Sequence, residues 1–208
     1  MKTRLLFCSL LLAATSRVAA QQPWVSSDSL TTCDLLFHVS GSANHITDVT
    51  EGVGQRRIDH VAIFVRVSGH PCVVEAVRRG VVVTPLDSLR RHGYWLVGRI
   101  SVAFDRQQSI GHALSYLGRP YDEVFLADNE AIYCSELVQL SFVDEQGQRL
   151  FGTIPMSFHD ASGAITPYWQ QFYAERHMAV PEGQPGTNPG ELSRREEIKI
   201  LGVLLPES

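Results

Sequence analysis

The chain has 208 residues, 44% hydrophobic and 19% charged, which is enough apolar material for one packed domain and too much for a disordered chain. A formal net charge of -4 excludes the basic balance typical of nucleic-acid binders. The clusters Arg78-Arg79, Arg90-Arg91 and Arg194-Arg195 are short and read as solvated surface.

Residues 1–20 read as a secretory signal. Lys2 and Arg4 form a positive start, Leu5 to Ala14 is an apolar run too short to span a bilayer, and Val18-Ala19-Ala20 offers small residues for cleavage after Ala20. The mature protein is therefore expected outside the cytoplasm, periplasmic or secreted, with no integral membrane segment. Residues 21–32 form a polar lead-in, and 33–208 are expected to make one domain.

Asp34 to Val39 predicts a short strand. His60 to Val67 and Cys72 to Val77 are rich in β-branched residues, and the Ser68-Gly69 turn between them predicts an antiparallel hairpin. Gly80 to Pro85 predicts a third strand, Pro85 to Arg90 a helical turn, and Tyr94 to Ile100 another strand. Gln107 to Leu117 carries a helical stripe of Ile110, Ala113, Leu114 and Leu117, with Gly118 as left-handed cap and Pro120 as stop. Tyr133 to Phe142 predicts a second helix, with Asp128-Asn129 as the capping region before it. Thr166-Pro167 opens a third helix. Pro181 to Pro189 is a loop, and Glu196 to Leu205 a last strand. The sum is an α+β domain, an antiparallel sheet with helices segregated beside it.

Of the four cysteines, Cys8 leaves with the signal. Cys33 and Cys72 either pair in an oxidising compartment or sit as two small buried residues, and Cys134 is left over. Cys134 opens a predicted helix, where partial positive charge favours a thiolate. A base completes such a nucleophile. His60, which opens its strand, is the best candidate, and Glu75 on the next strand can orient the ring. Tyr121 and Tyr133 are candidates for lining a cleft or donating to an oxyanion. Taken singly, each of these residues has a plain structural reading, and their joint placement raises them. The other histidines form no close zinc-ligand pair, so no metal or cofactor is expected, although a Cys134/His60/Glu75 metal set is conceivable.

These residues match a known pattern. Asp34-Leu35-Leu36-Phe37, Ile58-Asp59-His60-Val61-Ala62-Ile63, Val74-Glu75-Ala76, Leu117-Gly118-Arg119-Pro120-Tyr121-Asp122 and above all Tyr133-Cys134-Ser135-Glu136-Leu137 follow in order. The chain resembles the YiiX/YebB-like permuted papain-fold hydrolases, relatives of the NlpC/P60 cell-wall peptidases, over residues 33–203. The resemblance implies a circularly permuted papain-like core in which histidine and acid precede the cysteine. It implies Cys134 as nucleophile, His60 as base and Glu75 as third polar residue, acting on amide bonds of peptides, peptidoglycan fragments or acyl-amides. One departure stands out: the family commonly carries glycine before Asp-Leu-Leu-Phe, where this chain has Cys33.

Two rival readings remain open. A lipid-directed acyltransferase or thioesterase would use Trp95, Phe125 and Trp169 to line an acyl groove. A binding module for cell-wall fragments would leave Cys134 buried and inert.

Overall fold

The computed structural model describes residues 23–90, 93–127 and 130–206. The expected signal segment and the Asp128-Asn129 capping region lie outside the described residues. In chain order the elements are β1 (Trp24–Val25), β2 (Leu35–Val39), β3 (Ile58–Val67), β4 (His70–Val77), β5 (Gly80–Pro85), α1 (Leu86–Arg90) and β6 (Tyr94–Ile100). They continue with α2 (Arg106–Ser115), α3 (Cys134–Ser141), β7 (Ile154–Pro155), α4 (Pro167–Ala174), β8 (Pro185–Gly186), α5 (Pro189–Leu192) and β9 (Ile198–Leu204).

Seven strands form one sheet in the order β1-β9-β6-β2-β3-β4-β5, and β7 and β8 make a separate small pair. Neighbours in the large sheet are antiparallel except β1, which runs parallel to β9. The fold is α+β, as expected. The lead-in differs from expectation, because Trp24 and Val25 join the sheet instead of preceding the domain. Their tie is a backbone pairing with Val203 and Leu204, which leaves no side-chain pattern to read in two residues.

The β3–β4 hairpin forms where the sequence placed it. Ser68 and Gly69 both lie in the left-handed region, at φ 50° and 83°, as the mirror-image turns that match strand twist require. Both faces of the sheet are buried, which is why these strands read as nearly continuous apolar runs. Val61, Ile63, Val65 and Val74 pack under α3 and α2 with Leu137 and Phe142. Ala62, Phe64 and Val73 pack on the opposite face with Leu86 and Leu89 of α1.

Helix α2 corrects the predicted stripe. Ala113 is buried, but Leu114 and Leu117 are 40% and 43% exposed. The helix ends at Ser115, two residues short of the predicted end, and only its narrow Ser109–Ala113 face is buried. Helix α4 opens as predicted, with Thr166 as cap and Pro167 in the first turn. Its Trp169 and Tyr173 bury against Met156 and Phe158 in a separate aromatic cluster.

Cys33 and Cys72 are both free and buried, so of the two alternatives they take the apolar one. Burial pushes the Cys33 thiol up to about 11. Cys33 also sits at φ 75°, a left-handed backbone that glycine adopts without cost and that costs cysteine about 1 kcal/mol. That geometry accounts for a glycine at this place in the pattern the chain resembles.

Candidate active site

The site begins with an irregularity between β2 and β3. His38 pairs with His60, and Val39 pairs with Ile58, so Asp59 is an extra residue on β3. Ile58 and Val61 accordingly pack into the same core layer although they are three residues apart. Such bulges bend a strand end and re-aim side chains beside sites. Here the bulge frees Asp59 and His60 from the strict in-out alternation of the strand.

Strand β4 supplies the acid. The β3–β4 register pairs Ile63 with Val74, which sets Ala62, not His60, opposite Glu75. The expected same-face neighbour is therefore diagonal, a spacing that long side chains still bridge. His60 Nε2 meets Glu75 Oε2 at 2.8 Å, and Thr84 Oγ1 donates to Glu75 Oε1 at 2.5 Å. Burial works against the Glu75 carboxylate, but His60, Thr84 and Arg79 outweigh it and hold the group below its usual range.

Helix α3 supplies the sulfur. Tyr133 is its N-cap, in extended conformation, and Cys134 is its first residue, 5% exposed. Glu136 Oε2 accepts the Tyr133 N–H at 3.3 Å and closes the first turn. The Cys134 N–H is among the helix's first four, which have no acceptor within the helix. Cys134 lies close enough to the His60 ring to favour its charged form, as Glu75 does. Burial disfavours the charged ring, yet these two partners outweigh it and push His60 up to about 10. With Nε2 engaged by the carboxylate, Nδ1 is the nitrogen left to serve the sulfur. Trp95 stands edge-on to the ring at 6.0 Å. The structure thus brings Cys134, His60 and Glu75 together, with the His60–Glu75 pair joined by a direct hydrogen bond.

Cys134 opens onto a cleft of about 520 Å³, counted with its open mouth, that is largely apolar. Tyr121, Tyr133, Phe125, Phe158 and Trp169 line it, with Asp59 at its edge. The two candidate tyrosines differ in how free they are. Tyr133 Oη accepts the Thr187 N–H at 2.9 Å, which braces the segment after β8 against the start of α3. Gly186 eases that approach, since a Cβ there would lie 3.1 Å from Tyr133 Oη and closer still to the Met156 side chain. Tyr121 is half-buried, and burial together with the neighbouring Cys134, Asp122 and Glu123 raises its phenol well above the usual range. It therefore stays protonated and able to donate. Phe125 takes a left-handed φ of 56°, beside a turn in which the Asp122 carboxylate accepts the N–H groups of Val124, Phe125 and Leu126. Phe125 and Trp169 face the cleft, as a lipid-directed reading expects, but Trp95 does not. It lines a second hollow with His38, His60 and Glu75, because β6 lies on the other side of β2.

Sequence reasoning passed over Asp59, His38, Thr84 and Thr187. Asp59 stands beside His60 in the chain and could have been weighed. The others act through strand register and loop return, which spacing does not reveal. Among the described residues, no group of three His, Cys, Asp or Glu side chains is placed to hold a metal ion.

The comparisons with known proteins bear on the family and the fold. Residues 29–202 match the family model described as permuted papain-like amidase enzyme, YaeF/YiiX, C92 family. The chain is 31% identical over 156 residues to the uncharacterized protein YiiX of Escherichia coli strain K12, covering 72% of this chain and 71% of that one. It superposes with a TM-score of 0.66 on the crystal structure of the metalloprotein yiiX from Escherichia coli O157:H7, at 25% identity, covering 85% of this chain and 97% of that one. The order of histidine, acid and cysteine along the sheet and helix, and a match across nearly all the described residues, lead to one assignment: the chain belongs to the permuted papain-like amidases of the YaeF/YiiX, C92 family.

Proposed function

We propose that this protein is an exported thiol hydrolase that cleaves amide bonds through a Cys134 thioester. The observation that carries the reading is the His60 ring hydrogen-bonded to Glu75 and close to Cys134 at the head of α3. In the first step the Cys134 sulfur attacks the carbonyl carbon, and the carbonyl electrons move onto oxygen. The Cys134 N–H and the Tyr121 hydroxyl are the donors for that oxyanion. The C–N bond breaks as His60 gives its proton to the leaving amine. Neutral His60 then takes a proton from water, which attacks the thioester and releases the acid and the thiol. Glu75 keeps the ring oriented through both steps. Tyr133 braces the cleft from behind.

The substrate is a small peptide or an acyl-amide, with peptidoglycan fragments among the peptides to be tried. The apolar cleft wall of Phe125, Phe158 and Trp169 favours an apolar group next to the scissile carbonyl. That wall also supports a second reading, transfer or hydrolysis of a lipid-borne acyl group by the same thioester chemistry.

The test is turnover of a panel of peptide and N-acyl amides by the parent and by Cys134→Ala. The variant is expected to lose turnover by at least about 10³-fold while keeping the parent's circular dichroism and melting temperature. Undiminished turnover by the folded variant refutes the mechanism. Release of fatty acid from lipids, with no release of amine from any amide, would select the second reading.

A further inference from the structure

Beside the Cys134–His60–Glu75 group lies a second histidine–carboxylate couple that the proposed reaction leaves unused. Asp59 Oδ1 meets His38 Nδ1 at 2.6 Å, and Asp59 Oδ2 accepts from Asn44 Nδ2 at 2.7 Å. The couple is held from several sides. Asn44 Oδ1 accepts the N–H groups of Ile46 and Thr47, which aims its side-chain amide at Asp59. The His38 ring packs 5.0 Å from Trp95, the same indole that stands edge-on to His60. Gly93 approaches the far end of the His38 ring so closely that a Cβ would come within 2.4 Å of Nε2.

The bulge that aims His60 sets Asp59 immediately beside it. Asp59 is the one carboxylate among the described residues lining the Cys134 cleft. An anion against a largely apolar wall is costly unless it is matched. Burial works against the Asp59 carboxylate, but His38, Asn44 and the His60 charge outweigh it and hold it below the usual range.

We propose that Asp59, clamped by His38 and Asn44, is a positioning residue that serves as a second counter-anion for His60 and keeps the ring charged and turned to Cys134 in the resting enzyme. The two carboxylates divide the work. Glu75 fixes the ring by a direct hydrogen bond, whereas Asp59 acts by its charge and exchanges no proton. The other charged or titratable groups around the pair are His38 from β2, Glu75 from β4 with Arg79 behind it, and Cys134 from α3 with Tyr121 beside it. His45, from the segment before β3, also feels the Asp59 charge. The inference rests on Cys134 and His60 being the reactive pair, but its test needs no substrate, so a failed search for a cleavable amide leaves it readable.

The experiment follows the protonation of the His60 ring by ¹⁵N NMR of histidine-labelled protein across pH, with the signal assigned by its loss in His60→Asn. In parallel, alkylation of Cys134 by iodoacetamide is timed by mass spectrometry. Asp59→Asn keeps a hydrogen-bonding group of the same shape and removes the charge. It is expected to lower the His60 midpoint by about one pH unit, and to slow alkylation at pH 8 several-fold, with an unchanged melting temperature. His38→Gln, which leaves the carboxylate in place, is expected to move the midpoint less. An unmoved His60 midpoint in Asp59→Asn overturns the proposal. So does a lowered melting temperature without a midpoint change, which would mark the couple as structural only.

Discussion

Glu136 offers a test of the buried start of α3 that can be worked through in numbers. It is 4% exposed, two residues after Cys134 in the same first helical turn, and its Oε2 accepts the Tyr133 N–H. Burial, aided by the like charge of Asp122, pushes its carboxyl from 4.5 up to about 8. The folded protein therefore keeps a proton that the unfolded chain gives up near pH 4.5. The unfolded state binds fewer protons across that window, so stability falls as pH rises from about 4.5 to about 8. Glu136→Gln keeps the shape and the acceptor for Tyr133 and removes the titration. At about 1.4 kcal/mol per pH unit, the parent is expected to lose about 2 to 3 kcal/mol relative to the variant between pH 5 and pH 7. The result is nearly insensitive to where the folded value lies, provided it is 7 or above. Urea unfolding of both proteins at pH 5, 6 and 7 measures it, since all other titrating groups cancel in the difference. Stabilities that run parallel over this range would refute the reasoning and show Glu136 ionised in the folded state.

Four further expectations follow from the structure. Glu75→Gln removes the acceptor for His60 Nε2 and is expected to cut turnover by about 10²- to 10⁴-fold, read as kcat on any amide the parent cleaves. His60, raised to about 10, contributes stability that is fully present below about pH 6.5 and lost as pH rises through 10, so Glu75→Gln is expected to be less stable than the parent at pH 7 and to match it above pH 10 in chemical unfolding. Tyr121→Phe is expected to lower kcat by about 10- to 100-fold with KM little changed, since an oxyanion donor acts in the transition state; an equal loss in Tyr133→Phe would show that the two hydroxyls share the task. Leu137, fully buried where α3 meets the sheet, should cost about 2 to 5 kcal/mol when cut to alanine, measured by urea unfolding.

Much of the fold was legible because local chemistry coincided with tertiary need. Ser68-Gly69 had to turn, Thr166-Pro167 had to start a helix, and the valine runs of β3 to β5 had no stable place but a buried sheet. Leu114 and Leu117 misled because a periodic apolar stripe shows what a helix could bury, not whether a partner covers it. Trp24 and Val25 were missed because two residues are too few to show an alternating pattern, although Val25 packs into the core.

The candidate site divides along the same line. By itself the sequence determined the chemical types and their order: an imidazole, then a carboxyl, then a thiol at the head of an amphipathic helix, each set by near neighbours in the chain. Only the tertiary structure decided that Glu75 reaches His60 diagonally, that Thr84 and Thr187 brace the site, and that Asp59 and His38 stand beside it. Those facts depend on one extra residue in a strand and on which strands lie side by side. Register is set by the packing of the whole sheet, and a shift of one residue turns side chains to the other face while leaving the local pattern of residues unchanged.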